Sequence, residues 1–277
     1  MGYQNILLHL PLAANELQMR LAFAFAKAFE SHVTGICILP DTAMSQATVR
    51  GPLIQNNETD AFEDVHNQRA EAVSLERCFD RAADQLGVSH DWLIGEGDAV
   101  DVLIHVARLY DLVIVPRLET KVDLFWGPAT QLALSGRPTL IVPREGPEPN
   151  VPTRILVAWN GSAPAAAAIR GALPLLKAAS EVVLLAGKTR EDFPSWMRIP
   201  PTDMAAFLHR NRVNVDVVKL EAPESEAGSQ IVETAEQRGA DLIVMGAFGR
   251  SRFREWVLGG ATRHVLEHMT TPVLMAH

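Results

Sequence analysis

Three glycines, Gly246, Gly249 and Gly259, are separated by two and then nine residues. They follow an apolar run, Leu242-Ile-Val-Met245, and precede a helical stretch that holds Arg263 to His268. Glycine lets a backbone take positive φ and approach a ligand closely. The free N–H groups at a helix start point outward and carry partial positive charge. Thr262 adds a hydroxyl near that start, as a cap or a phosphate donor. Arg250, Arg252 and Arg254 set three cations on the same loop of a chain whose formal net charge is −8. These residue types at this spacing suit backbone cradling of a phosphate. The competing reading is a tight turn with a capped helix and, for the arginines, a solvated loop.

Other constellations promise less. His264-Val-Leu-Glu267-His268 has a spacing used by one class of zinc proteases, and histidines four apart share a helix face. No third ligand follows by spacing, so the pair reads as polar residues on an amphipathic helix and no metal site is assigned. Gly95-Glu-Gly97-Asp98 lacks the third glycine of a dinucleotide fingerprint, and Asp98 reads as the cap of a helix from about residue 99 to 109. Ser225 is its counterpart before a helix over 226–238. His9 and His90 fall at strand ends and read as structural histidines. Trp92, Trp126, Trp196 and Trp256 read as core or interface residues, whereas Trp159 falls beside the expected pocket, to stack on a base or fill its space. No Ser/His/Asp or Cys/His set assembles at a recognised spacing, so no catalytic residue is assigned.

The elements that must position the glycine loop occur twice. Asn5-Ile-Leu-Leu-His9 echoes Arg154-Ile-Leu-Val-Ala158, and each precedes an Ala-rich helical stretch, 14–30 and 163–179. The strand Val33 to Leu39 answers Glu181 to Ala186. Asp111-Leu-Val-Ile-Val115 answers Asp241-Leu-Ile-Val-Met245, and Arg137-Pro-Thr-Leu-Ile-Val142 answers Thr271-Pro-Val-Leu-Met275. Ordered echoes across half the chain indicate an internal duplication. Between the halves, residues 143–153 read PREGPEPNVPT, a stiff, solvated linker. The domains expected are therefore 1–145 and 152–277. Continuous apolar strands alternating with helices predict α/β domains, each a parallel sheet covered on both faces. Ligands bind such sheets beyond the strand C-termini, where strand order reverses.

Bulk composition bounds the function. Of 277 residues, 48% are hydrophobic and 21% charged, as in ordinary globular proteins. The acidic balance argues against nucleic acid or an anionic membrane as partner. No apolar run approaches the ~20 residues that span a bilayer, and the amino-terminal residues lack the basic start and apolar stretch of a signal peptide. A cytoplasmic location is expected. Cys37 and Cys78 are expected as two reduced, buried thiols.

The glycine pattern, the duplication and the closing Thr-Pro-Val-Leu strand together resemble the universal stress protein family, in its tandem form. The resemblance covers nearly the whole chain. It implies two flavodoxin-like (adenine nucleotide alpha hydrolase-like) domains, each with five parallel strands in the order 3-2-1-4-5, packed as a pseudo-dimer. Family members that bind ATP carry Gly-x2-Gly-x9-Gly followed by Ser or Thr. By position the resemblance assigns nucleotide contacts to Ala158, Trp159, Asn160, Met245, Gly246, Gly249, Arg250, Gly259, Gly260, Ala261 and Thr262, with ATP and magnesium as the implied ligand. Two positions depart: Asn160 stands where those members have an acid, and Gly260 where the first hydroxyl is expected. Each lost hydrogen bond to a charged group costs ~1.5–3 kcal/mol, and two would weaken binding roughly a hundredfold. In the first half, Pro11 replaces the acid and Pro116-Arg-Leu-Glu119 replaces the early glycines, so that half reads as a structural partner. The expected function is a nucleotide-regulated stress-response protein, as an intramolecular pseudo-dimer or a homodimer of such chains. The alternatives are an adaptor without ligand and a weak ATPase.

Overall fold

In a computed structural model of the protein, residues 2–12, 16–40, 58–117, 135–145, 150–187, 203–221, 223–247 and 260–277 are described, with side chains in the helix from Glu58 described from His66 onward. The first half runs β1 (Asn5–His9), α1 (Glu16–Phe29), β2 (His32–Leu39), α2 (Glu58–Leu86), β3 (His90–Glu96), α3 (Ala99–Val106), β4 (Leu112–Pro116) and β5 (Thr139–Val142). The second runs β6 (Arg154–Trp159), α4 (Ala163–Ala178), β7 (Glu181–Ala186), α5 (Met204–Arg210), β8 (Asp216–Lys219), α6 (Ala227–Gln237), β9 (Leu242–Gly246), α7 (Gly260–His268) and β10 (Val273–Ala276).

The ten strands among the described residues form one sheet, ordered β3-β2-β1-β4-β5-β10-β9-β6-β7-β8. The first half has the order 3-2-1-4-5, and read inward from its own edge the second half repeats it. Pairing is parallel within each half and antiparallel at the joint, where Thr139, Leu140 and Ile141 of β5 face Met275, Leu274 and Val273 of β10. Alternate strand side chains enter two buried layers. Leu140, Leu274 and Val157 lie in the layer beneath α1, α2, α4 and α5. Ile141, Val273 and Leu156 lie in the layer beneath α3, α6 and α7. Both layers run across the joint, so the halves share their core.

The duplication extends to single hydrogen bonds. Asp111 Oδ2 accepts from the backbone N–H of Gln4 and Asn5, at 2.8 and 3.0 Å, which ties the start of β4 to the start of β1. Asp241 does the same for β9 and β6, accepting from Thr153 and Arg154. The aspartates that open the two echoed segments are thus strand-start clamps.

A second seam joins the halves through α4. A proline inside a helix removes one backbone bond and loosens the preceding turn, and Pro174 does so in α4. In that turn the Tyr3 hydroxyl, from the first half, donates to the Gly171 carbonyl at 2.8 Å. Burial, with the Asp111 carboxylate adding to it, holds the Tyr3 phenol far above its ordinary range, so it remains a donor. Gly171 itself lies against Pro138 of the first half.

Several expectations need correction. Asp98 caps α3, accepting from Val100 and Asp101 N–H, but α3 ends at Val106 and a 3-10 turn fills Ala107–Leu109. Ser225 is not a cap: it lies within a 3-10 turn (Glu224–Glu226), and Glu226 precedes α6 without a side-chain bond. Cys37 is buried but Cys78 is exposed, on the outer face of α2, and both are unpaired thiols. Trp92 is partly buried, packed on the core layer beside Phe79. Trp126, Trp196 and Trp256 lie outside the described residues. No helix among the described residues is long and apolar enough to cross a membrane.

Two outcomes follow from the packing. A methyl group on residue 171 would sit 2.4 Å from Pro138 Cγ, on a ring that cannot swing away. Gly171→Ala should therefore lower stability by about 1–3 kcal/mol in urea denaturation. His9 is 5% exposed, and burial pushes its imidazole from 6.5 down to about 4. Above pH 6.5 both folded and unfolded chains hold it neutral. As pH falls from 6.5 to 4 the unfolded chain takes up a proton that the folded chain refuses. Stability should then drop by up to ~3 kcal/mol across that window, and His9→Gln should flatten that part of the pH–stability curve.

Candidate functional site

In the second half, strand order reverses between β6 and β9. From β6 the chain moves outward to β7 and β8, and from β9 inward to β10. The helices after them cover opposite faces, α4 on one and α7 on the other. A crevice beyond the carboxyl ends of β6 and β9 is the consequence, flanked by two helix starts, and it is where such sheets take ligands.

From β6 come Ala158, Trp159 and Asn160. Asn160 Oδ1 accepts from Ser162 N–H at 3.1 Å, and Ser162 Oγ accepts from Ala165 N–H at 3.2 Å. Gly161 between them has φ +77°, a left-handed turn that glycine takes without strain. Ser162 is thus the N-cap of α4, a role legible in Ser-Ala-Pro before an Ala run but not singled out above. The Asn160 side chain, expected among the nucleotide contacts, shapes this turn through its oxygen. The Trp159 ring packs against the layer beneath α4 while part of it stays exposed. Gly187 N–H, also not anticipated, donates to the Trp159 carbonyl at 2.7 Å and closes the side of the crevice toward β7.

From β9 come Met245, buried, and Gly246. An added Cβ on Gly246 would lie 2.5 Å from Ala165 N and 2.8 Å from the Pro164 carbonyl carbon. The end of β9 is therefore pressed against the first turn of α4, and Gly246 meets the Asn160–Ala165 turn. Ala247 N–H donates to the Ala276 carbonyl at 2.9 Å, and His277 Nδ1 lies 3.0 Å from the Ala247 carbonyl. The loop thus starts from a fixed point. Gly249, Arg250, Arg252, Arg254 and Gly259 lie outside the described residues.

At the far end of the loop α7 begins at Gly260, three residues earlier than the sequence reading placed it. Thr262 is therefore inside the first turn, and it is buried, so it does not cap the helix. Ala261 packs on Gly228 of α6, where an added Cβ would come within 3.0 Å of the Ala261 carbonyl oxygen. Gly260 is exposed, and an added Cβ there meets nothing within 4 Å among the described residues.

The first half has a different arrangement at the equivalent place. Arg117 follows β4 as Ala247 follows β9, and its N–H donates to the Val142 carbonyl at 2.8 Å in the same way. Its side chain crosses to the second half, where Nη2 donates to the Glu267 carbonyl at 2.8 Å. Carbonyls at a helix end carry partial negative charge, which a guanidinium offsets. Arg117 also walls a cleft of about 350 Å³ between the halves, with Arg144, Glu145, Met269 and Thr270.

Residues 152–277 match the sequence profile described as the universal stress protein family. The second half thus carries a universal stress protein domain. Universal stress protein Slr1230 of Synechocystis is 29% identical over 146 residues, 50% of this chain and 46% of that protein. Universal stress protein MJ0577 of Methanocaldococcus jannaschii is 35% identical over 60 residues, 22% of this chain and 35% of that protein. The chain thus spans under half the length of these curated relatives. Among solved structures, a universal stress protein from Archaeoglobus fulgidus superposes with a TM-score of 0.70 at 16% identity, over 98% of this chain and 95% of that one. A putative universal stress protein from Pseudomonas aeruginosa superposes at 0.55 with 15% identity, over 98% and 92%. At such identities the likeness is one of fold, and it extends over both halves.

Gly246 and Gly260 should respond oppositely to substitution. Gly246→Ala forces backbone against backbone and should cost about 1–3 kcal/mol. Gly260→Ala fills open space at a helix start and should leave stability unchanged or raise it by up to ~1 kcal/mol. Urea midpoints of the two variants measure the contrast.

Proposed function

We propose that the second half, residues 152–277, is a nucleotide-binding regulatory domain, that it takes ATP between the carboxyl ends of β6 and β9, and that the first half, residues 1–145, is its structural partner. The observation that carries this reading is the close approach at Gly246. It sets the start of a Gly-x2-Gly-x9-Gly segment directly against the capped first turn of α4, in a family whose ATP binders carry that motif. Ala158, Trp159 and Asn160 then border the base and ribose, while the backbone of Gly246, Gly249, Gly259, Gly260 and Ala261, with Arg250, faces the phosphates; Thr262, buried in the first turn of α7, supports that turn from beneath. Magnesium would arrive with the nucleotide rather than on a protein site.

Intramolecular pairing also bears on assembly. The fifth-strand edge of each half is consumed at the β5–β10 joint, so a homodimer formed by strand pairing would have to use β3 or β8. The free thiols suit a reducing cytoplasm.

Binding is tested by the melting temperature and tryptophan fluorescence of the full chain at millimolar ATP with magnesium; a shift in either is expected. Gly260→Ser restores the hydroxyl expected after the third motif glycine, into space that is open. It should tighten binding by about tenfold, the effect of one hydrogen bond to a charged group. ATP that moves neither signal, in wild type or in Gly260→Ser, rejects the reading and leaves the adaptor.

A further inference from the structure

His264 and His268 lie one turn apart on α7. Their imidazoles stack, with centroids 4.1 Å apart and planes at 20°. His268 Nδ1 lies 2.9 Å from the His264 carbonyl oxygen. A carbonyl only accepts, so Nδ1 carries the proton, and in the neutral ring Nε2 is left with its lone pair. This is how histidines that ligate metals are oriented: one nitrogen is held by a backbone carbonyl while the other faces the ion. The backbone beneath is fixed as well, because α6 presses against the His264 Cβ through Gly228, where an added Cβ would lie 2.6 Å away. Glu267 Oε1, between the two histidines, is held by Arg263 Nε at 2.8 Å. Neither ring is sealed from solvent: His268 is exposed and His264 half-buried.

We propose that His264 and His268 form a two-nitrogen site for a divalent late transition-metal ion, of the class of Cu2+, Ni2+ and Zn2+. Imidazole suits these ions better than hard cations. With metal–nitrogen bonds of about 2.0–2.1 Å, two adjacent ligand nitrogens sit about 3 Å apart. The His264 ring reaches that spacing by turning about χ2, a soft torsion in histidine, out of the stack, while His268 keeps its carbonyl bond. Water completes the coordination. Such a site differs from a catalytic or structural zinc centre, which needs three or four protein ligands. Among the described residues no group of three His, Cys, Asp or Glu could hold an ion. The site is independent of the nucleotide reading, although an ion here would clamp the last turn of the helix whose first turn follows the glycine loop.

The test is titration of the untagged, nucleotide-free full chain with Cu2+, followed by calorimetry and electron paramagnetic resonance. One ion per chain is expected, with hyperfine structure from two equatorial nitrogens, and a rise in melting temperature with Ni2+. H264Q and H268Q should each weaken binding by about tenfold or more, because the second nitrogen binds at high effective concentration. H105Q, on α3, should leave it unchanged. Metal-free melting curves confirm that the variants are folded. No uptake by the wild type, a one-nitrogen spectrum, or binding that survives either H264Q or H268Q overturns the proposal.

Discussion

A parallel sheet tolerates neither a bare face nor a long bare edge, since its strands are apolar throughout. Each half of this chain has five strands among the described residues, and its fifth, Thr139–Val142 or Val273–Ala276, is buried. Antiparallel pairing of those two strands is the constraint on which the rest depends. It removes one edge from each half, makes the two core layers continuous, and brings α4 over Pro138 so that Tyr3 can reach the loosened turn before Pro174. Neither half keeps these interactions alone.

The fold was legible wherever it depends on local pattern. Continuous apolar runs marked four strands in each half but not the largely exposed β3 and β8, Asp98 announced its helix, and Asp111 and Asp241 opened matching segments. What stayed hidden depends on partners distant in sequence. Nothing near Thr139 or Met275 says that they meet, and nothing near Gly171 says that a proline from the other half presses on it. Ser225 has the chemistry of a cap, yet a 3-10 turn places Glu226 there instead. Cys78 sits among Phe79, Leu75 and Val73, but on a helix with one buried face, and it falls on the other.

The candidate site divides the same way. The glycine spacing identified the loop and its place after β9. That Gly246 is demanded by α4 as much as by any ligand became visible only with Pro164 and Ala165 beside it. Thr262 matched the motif but lies buried one turn too deep to cap, whereas Gly260, a departure from the motif, faces open space. Sequence spacing counts residues, and helix phase decides which of them face the crevice.

The antiparallel joint also fixes a polarity. Because β5 and β10 run in opposite directions, the strands of the two half-sheets point their carboxyl ends to opposite poles of the molecule. The crevice at β6 and β9 therefore opens at one pole, and the Arg117 junction with the closing turn of α7 lies toward the other. The two halves, though copies, could never have shared one ligand across a common cleft. Pro116 and Arg117, which stand in one half where the other has its early glycine, leave the crevice of that other half untouched, because the two places lie at opposite poles.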